Sequence, residues 1–303
     1  MGVGEAAPLP GRSPEGIPAV EEALAGLPPL TLEAGAPFPP QLEACLALLE
    51  GAPASARFAL EAALVDLAGQ ARGVPGWALF RDTPPAPLAL NALIERPCAP
   101  EALAEAQAAV EAGAHTLKLK LGLRPFEEEL AAVLALRAAL GPELRLRLDP
   151  NCAWTLAEAR PRLAALAAAS PEYVEQPVPP GALEALLDPP APLAADESLE
   201  RPGADPEALK NCAVAVLKPT LVGGLVQTLR LAQRARAAGQ GVVITHAREG
   251  AVAQRACALV AFLLPEPRQA MGLAPPDQVG NSGTEAYMLS PWTGVGLGLH
   301  MRK

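Results

Sequence analysis

Six charged residues stand out for what their types and spacing could do: Lys118, Lys120, Asp149, Glu175, Asp196 and Lys218. The three acids lie 26 residues (149 to 175) and 21 residues (175 to 196) apart, about one strand–helix unit each. Acids at the ends of successive parallel strands converge on one side of a sheet's edge. Carboxylates that close repel one another and rise in pKa unless a cation sits among them. Hard oxygen donors suit Mg²⁺, which needs few protein ligands and keeps positions open for water or substrate oxygens; Mn²⁺ could substitute. Asp149, Glu175 and Asp196 are therefore a candidate Mg²⁺ site, with Lys120 and Lys218 flanking the ion. Taken singly, each residue reads better as a solvated loop charge. Six together, at the ends of five successive strands, are harder to assign to chance.

Such a placement needs a scaffold. Residues 116–122 alternate strictly, with Lys118 and Lys120 on one face and Leu117, Leu119 and Leu121 on the other. Alone, that pattern is a half-buried strand with its lysines in water. Helical patterns over 100–112 and 125–139 flank it, however, and a strand between helices belongs in a parallel sheet with no wet face. The leucines then pack under helices and the lysines point into a barrel interior. From residue 88 the chain keeps this beat. Strands are expected over 88–94, 116–122, 144–149, 173–176, 193–198, 213–219, 241–246 and 269–273, with helical patterns between most of them. Eight strands over about 190 residues predict a (β/α) barrel. An open doubly wound sheet is the alternative, but no Gly-x-Gly-x-x-Gly follows a strand.

Barrel chemistry sits at the C-terminal strand ends. Lys118, Lys120, Asp149, Asn151, Glu175, Asp196, Lys218, Thr245 and His246 all fall there. Arg147 points inward with Asp149 and reads as a partner behind the carboxylates. Gly223-Gly224 could offer amide groups to an anion or simply make a tight turn. His246 could bind substrate or serve structure; His115 and His300 read as structural, and Trp154 as packing for its loop. Before residue 88 the chain is helical with little strand, with helices expected over 13–27, 40–50 and 54–72.

The 303 residues, half of them hydrophobic and 19% charged, suit a compact globular chain with one barrel-sized domain, or one such domain plus a smaller one. A net charge of −9 with no basic stripe argues against nucleic-acid partners. No apolar run approaches a membrane span and no basic-then-apolar leader opens the chain, so no membrane partner and a cytoplasmic location are expected. Five scattered cysteines lack metal-ligand or redox spacing, which points to reduced thiols.

The motifs Lys118-Leu119-Lys120, Arg147-Leu148-Asp149-Pro150-Asn151 with Ala153-Trp154, Val174-Glu175-Gln176-Pro177, Ala195-Asp196-Glu197-Ser198-Leu199 and Val216-Leu217-Lys218-Pro219-Thr220 follow in order. Together they resemble the muconate-cycloisomerase-like branch of the enolase superfamily, and most of all its o-succinylbenzoate synthase family. Gly2-Val3-Gly4-Glu5 and Pro8-Leu9-Pro10-Gly11 are similar to a segment of that superfamily's capping domain, so the likeness runs through nearly the whole chain. The implied fold is α/β: a (β/α)7β-type TIM barrel over 88–275, a smaller, N-terminally shortened α+β capping domain over 1–87, and a tail over 276–303 that packs back on the cap.

The resemblance also implies roles. Mg²⁺ on Asp149, Glu175 and Asp196 would take both oxygens of a substrate carboxylate and stabilise the enediolate made when the α-proton leaves. Lys120 would be the base, with Lys118 helping to lower its pKa by like-charge repulsion. Lys218, on the opposite face, would act electrostatically or as a second acid/base. Lys118, Arg147, Asn151, Glu197, Gly223, Thr245 and His246 would bind substrate or support the ligands. The implied enzyme is a lyase of menaquinone biosynthesis that dehydrates a succinyl-hydroxycyclohexadiene-carboxylate to o-succinylbenzoate. An N-acylamino acid racemase, or a related epimerase or cycloisomerase, shares the same lysines and acids. A non-catalytic ligand-binding barrel is the reading of a different class, and a homo-oligomer is left open.

Three departures accompany the likeness. The two strands and mobile loop that usually precede the Gly2–Glu5 motif are missing, which implies a shortened start or a more open site. Thr245-His246-Ala247-Arg248-Glu249 stands where the synthases carry a serine run. Met271-Gly272-Leu273-Ala274 lacks the Asp that often follows Gly-Leu, and lacks the Asp-x-Asp of dipeptide epimerases.

Overall fold

Residues 1–33, 35–200, 203–273 and 286–299 are described by a computed structural model. The chain opens with α1 (Ile17–Ala25), α2 (Phe38–Leu46) and α3 (Ala54–Arg72), with no strand before residue 88 among the described residues. There follow β1 (Leu88–Ala89), β2 (Ala92–Ile94), α4 (Ala102–Glu111), β3 (Thr116–Lys120), α5 (Phe126–Leu140), β4 (Arg145–Asp149) and α6 (Leu156–Leu166). The remainder is β5 (Tyr173–Glu175), β6 (Leu193–Ala195), β7 (Cys212–Leu217), α7 (Pro219–Val222), α8 (Leu225–Ala237), β8 (Gly241–Ile244), α9 (Ala251–Leu263) and β9 (Met288–Leu289). No described helix is long and apolar enough to cross a membrane.

Strands β2 to β8 form one parallel sheet in sequence order. Its two edges meet through residues 271 and 272, where Leu90 bridges Met271 and Thr245 bridges Gly272. The result is the α/β barrel that the strand–helix beat predicts. Alternation separates two cores. Leu117, Leu119, Leu146, Leu148, Val174 and Leu217 join the large core beneath the helices. Tyr173, Ala194, Val214, Val216 and Val243 make a second, smaller cluster inside the barrel. Lys118 and Lys120, one residue out of phase with the leucines, share the interior face.

The structure departs from the expected elements in places that sequence composition explains. The first expected strand, 88–94, is split: β1 leaves the barrel to pair antiparallel with β9, and only β2 stays in it. The eighth, 269–273, shrinks to the two bridges at Met271 and Gly272. Six prolines between residues 177 and 192 remove amide donors, so β5 and β6 are joined by one 3₁₀ turn, Leu183–Ala185, and no α-helix. β6 stops at Ala195 because Asp196 leaves the extended region (φ −122°, ψ −85°). Ala274, His300 and the expected boundary at 275/276 lie outside the described residues.

Helix α3 ties both ends of the chain to the barrel through three buried polar side chains. Ser55 Oγ donates to Glu15 at 2.8 Å; Asp66 accepts from the amides of Val3 (3.1 Å) and Leu297 (3.0 Å). Glu61 accepts from the amides of Leu225 and Val226, the first residues of α8. Glu5 does the same for α9, accepting from Gly250 (2.5 Å) and Ala253 (3.2 Å). Two neighbouring barrel helices thus have their positive N-termini capped by carboxylates of the N-terminal segment. Gly224 makes room: its φ is +105°, and a Cβ there would overlap the Glu61 carboxylate.

Two tests follow from these caps. Gly224→Ala should destabilise the fold by at least about 2 kcal/mol, read from urea unfolding, because it adds backbone strain and a clash. Burial pushes the Glu61 carboxyl up to about 8, against the pull of its amide donors. A carboxyl raised in the fold stabilises most below its unfolded value, and that contribution fades as pH climbs toward the folded one. Glu61→Gln cannot ionise, so its stability should decline less than the wild type's between about pH 5 and pH 8.

Candidate active site

The six charged residues do meet. β3 and β4 pair in register, Lys118 beside Arg147 and Lys120 beside Asp149. Lys120 Nζ donates to Asp149 Oδ2 at 2.6 Å and to Asn151 Oδ1 at 2.7 Å. Lys118 Nζ lies 2.8 Å from Asp149 Oδ2 and 2.6 Å from Glu175 Oε1. Across the row, Lys218 donates to both oxygens of Asp196 and to Glu200 Oε1 at 3.0 Å. Asp149, Glu175 and Asp196 are 0%, 1% and 1% exposed. They come from β4, β5 and the end of β6, and the lysines come from β3 and β7 on either side.

The loops that carry them are held tightly. Gly122 sits at φ +82°, where a Cβ would come within 2.5 Å of Ala153 Cβ and 2.7 Å of Pro150 O. Asn151, Cys152 and Gln176 all adopt positive φ (49°, 62° and 37°), backbone that non-glycine residues adopt at a cost. Asn151 N returns a 3.0 Å hydrogen bond to Asp149 Oδ1. Trp154 packs edge-on against Phe126 and so seats the β4 loop, as expected. Thr155, capping α6 reciprocally with Glu158, ends that loop. Gln176 Oε1 accepts from the amides of Asp196 (3.1 Å) and Ser198 (3.0 Å), locking the end of β6 to that of β5.

Electrostatics follow from burial and pairing. Burial alone would raise Asp149, but Lys118 and Lys120 hold it below the usual carboxylate range; Lys218 does the same for Asp196. Lys118 and Lys218 are held up, their acidic partners outweighing burial. Glu175 differs: burial and then the charge of Asp149 push it up to about 7. Lys118 is thus a firm cation in the carboxylate row.

As placed, no three His, Cys, Asp or Glu side chains among the described residues surround a common point; the carboxylates turn to ammonium groups. The donor set nonetheless fits a hard divalent ion. Three carboxylates leave adjacent strand ends, and the middle one, Glu175, shares Lys118 with Asp149.

The other expected residues fall nearby in different ways. Arg147 does not hydrogen-bond the three carboxylates. Two residues before Asp149, it lies one layer deeper, donating to Glu172 (2.6 Å), Asn91 Oδ1 (3.1 Å) and Ala270 O (2.8 Å) and stacking 5.0 Å over Tyr173. It braces the barrel floor. Thr245 Oγ1 donates to Gly272 O at 2.7 Å, fastening the barrel's closure. His246 Nδ1 accepts from Arg248 N at 3.2 Å and lies 3.7 Å from Glu249, the structural alternative of the two. The anion at the Gly223-Gly224 turn is the chain's own Glu61, and Gly223 itself only turns (φ +104°). Glu197 accepts from Arg12 Nη1 at 2.9 Å.

Sequence reasoning missed Arg12, Glu200 and Gln176. Gln176 follows Glu175 directly and Glu200 lies four residues beyond Asp196, so adjacency was the available signal for both. Arg12 is remote in sequence and follows Pro8-Leu9-Pro10-Gly11 with no signal of its own.

Comparisons with known proteins agree with this architecture. Residues 101–302 match the family model "Enolase C-terminal domain-like". The chain is 36% identical over 209 residues to an o-succinylbenzoate synthase of Thermobifida fusca (strain YX), covering 66% of this chain and 62% of that protein. It is 32% identical over 216 residues to a hydrophobic dipeptide epimerase of Roseobacter litoralis, covering 68% of this chain and 61% of that one. It thus spans about six tenths of the length of these curated relatives. Among solved structures, the muconate lactonizing enzyme from Pseudomonas putida superposes with a TM-score of 0.81 over 99% of this chain and 88% of that one, at 24% identity. The strand order, the ordered strand-end charges and the family match agree: this chain belongs to the enolase C-terminal domain-like family.

Proposed function

We propose that this chain is a Mg²⁺-dependent lyase that removes a proton α to a carboxylate and expels water, forming o-succinylbenzoate from a succinyl-hydroxycyclohexadiene-carboxylate. One observation carries the reading: two lysines, Lys120 and Lys218, flank a row of three buried carboxylates from opposite sides. The Thermobifida relative, an o-succinylbenzoate synthase, supports the choice of reaction.

In this reading Asp149, Glu175 and Asp196 would hold the ion. When bound it supplies positive charge where the substrate carboxylate becomes more electron-rich as its α-proton leaves. Lys120, reaching the mouth beside Asn151, takes that proton. The proton returns to the departing hydroxyl, water leaves, and the ring becomes aromatic, which favours completion. Lys118, held protonated between Asp149 and Glu175, keeps the carboxylate row together. Lys218 faces the developing anion from the other side. Residues 1–87 serve as the cap and the chain from residue 88 as the catalytic barrel, while the described tail residues 286–299 return to the cap through Leu297 and Asp66; the enzyme acts in the cytoplasm, in menaquinone biosynthesis.

A second reading has its own support. Lysines on both sides of one row suit a two-base racemase or epimerase, and the Roseobacter relative is a dipeptide epimerase. Turnover of the cyclohexadiene substrate, set against N-succinylamino acids and dipeptides, decides between the two.

Metal binding and the kinetics of lysine variants test the site. Calorimetric titration should find one Mg²⁺ per chain, with affinity falling about 100-fold or more in Asp149→Asn, Glu175→Gln or Asp196→Asn. EDTA should abolish turnover and Mg²⁺ should restore it; a chelator-insensitive enzyme contradicts the reading. Lys120→Ala and Lys120→Arg should each cost about 10³-fold in kcat, since a guanidinium cannot act as a base. Lys218→Arg should retain more dehydration than Lys218→Ala yet lose racemisation. Deuterium exchange at the substrate α-carbon, persisting at the wild-type rate in Lys120→Ala, would show that another group is the base.

A further inference from the structure

Around Asp196 the charges do not balance between barrel neighbours among the described residues. Asp196, Glu197 and Glu200 stand within five residues, and Lys218 is the barrel cation that bonds two of them. The missing charge comes from the N-terminal segment. Arg12 grips Glu200 with two prongs, Nη2 to Oε1 at 2.5 Å and Nε to Oε2 at 3.2 Å. Its third nitrogen, Nη1, reaches Glu197 Oε1 at 2.9 Å, and Nη2 stands 3.8 Å from Asp196 Oδ2. Lys218 is left sharing only Oε1 of Glu200.

Arg12 is not a loose surface side chain. Its turn is closed by hydrogen bonds from the amides of Arg12 and Ser13 to Leu9 O and from Leu9 N to Ser13 Oγ. The chain on either side is fastened, by Glu5 at the start of α9 and by Glu15 to Ser55 of α3. The guanidinium is therefore delivered to the β6 loop from a segment anchored at two points.

We propose that Arg12 is a positioning residue of the strand-end site. It takes up Glu197 and Glu200 so that Lys218 stays with Asp196, facing the place where substrate binds. The proposal rests on the reading that substrate lies beside Lys218. Without Arg12, Glu197 and Glu200 would have Lys218 as the cation within reach among the described residues and would draw it away, since a charge stripped of its partner in a buried site claims another.

The test is a charge-coupling cycle: Arg12→Ala, Glu200→Gln and the double variant, each measured in two ways. The first is kcat and KM with whichever carboxylate substrate the wild type turns over. Arg12→Ala should lose about tenfold or more in kcat with KM within about threefold, and adding Glu200→Gln should restore most of it. The second needs no turnover: reductive methylation of Lys218, followed by peptide mass spectrometry. Labelling should slow about fivefold in Arg12→Ala and recover in the double variant. Unchanged kcat and labelling in Arg12→Ala, or a double variant no better than Arg12→Ala, would overturn the proposal. Should Arg12→Ala not fold, Arg12→Lys keeps the charge, loses the two-pronged grip, and should show the same losses in smaller measure. A wild type inactive on every carboxylate substrate would sink the proposed reaction, and the labelling series would still decide the role of Arg12.

Discussion

Burying carboxylates at the end of a barrel is the constraint on which the rest of this structure depends. Asp149, Glu175 and Asp196 are almost wholly removed from water, and an unpaired buried charge is strongly destabilising. Each must find a cation, and parallel topology dictates where cations can stand. The lysine partners come from β3 and β7, the strands bordering β4 to β6, and Lys118 on β3 reaches past β4 to Glu175 on β5. Lys118 must serve both Asp149 and Glu175. The middle carboxylate shares its lysine with Asp149, which leaves the row receptive to a further positive charge.

The same constraint explains the effort spent on backbone around the site. Carboxylates and ammonium groups at hydrogen-bonding distance gain from attraction only if their loops do not wander. The left-handed conformations at Asn151, Cys152 and Gln176, the glycine forced at position 122, and the Gln176 amide across β5 and β6 all hold strand ends in place. Beneath them Arg147, stacked on Tyr173 and bonded to Ala270 O, connects the floor of the barrel to the short segment that closes it.

The N-terminal segment is bound to the barrel by a complementary device. Helices α8 and α9 present uncompensated amides near the strand ends, where other barrels bind anions. Here Glu61 and Glu5 fill those positions. Intramolecular carboxylates thus dock the segment and carry Arg12 to the mouth of the barrel. Proteins that share this scaffold include a synthase, an epimerase and a muconate lactonizing enzyme. A shared scaffold of this kind leaves the choice of reaction to the side chains of the site.

Sequence by itself determined the sheet and its charged row. Strict alternation at 116–122, the strand–helix beat, and the 26- and 21-residue spacings are local signals, and local periodicity fixes which face each residue takes. Lys118, Lys120, Asp149, Glu175, Asp196 and Lys218 were legible for that reason. Tertiary structure alone decided what lies opposite. That Arg147 turns to Glu172 and Ala270, and that the eighth strand shrinks to two bridges, depend on packing between distant elements. Arg12 lies 185 residues from Glu197 and Glu61 lies 164 from Leu225. No periodicity spans such separations; only the folded chain, compelled to neutralise what it buries, brings those groups together.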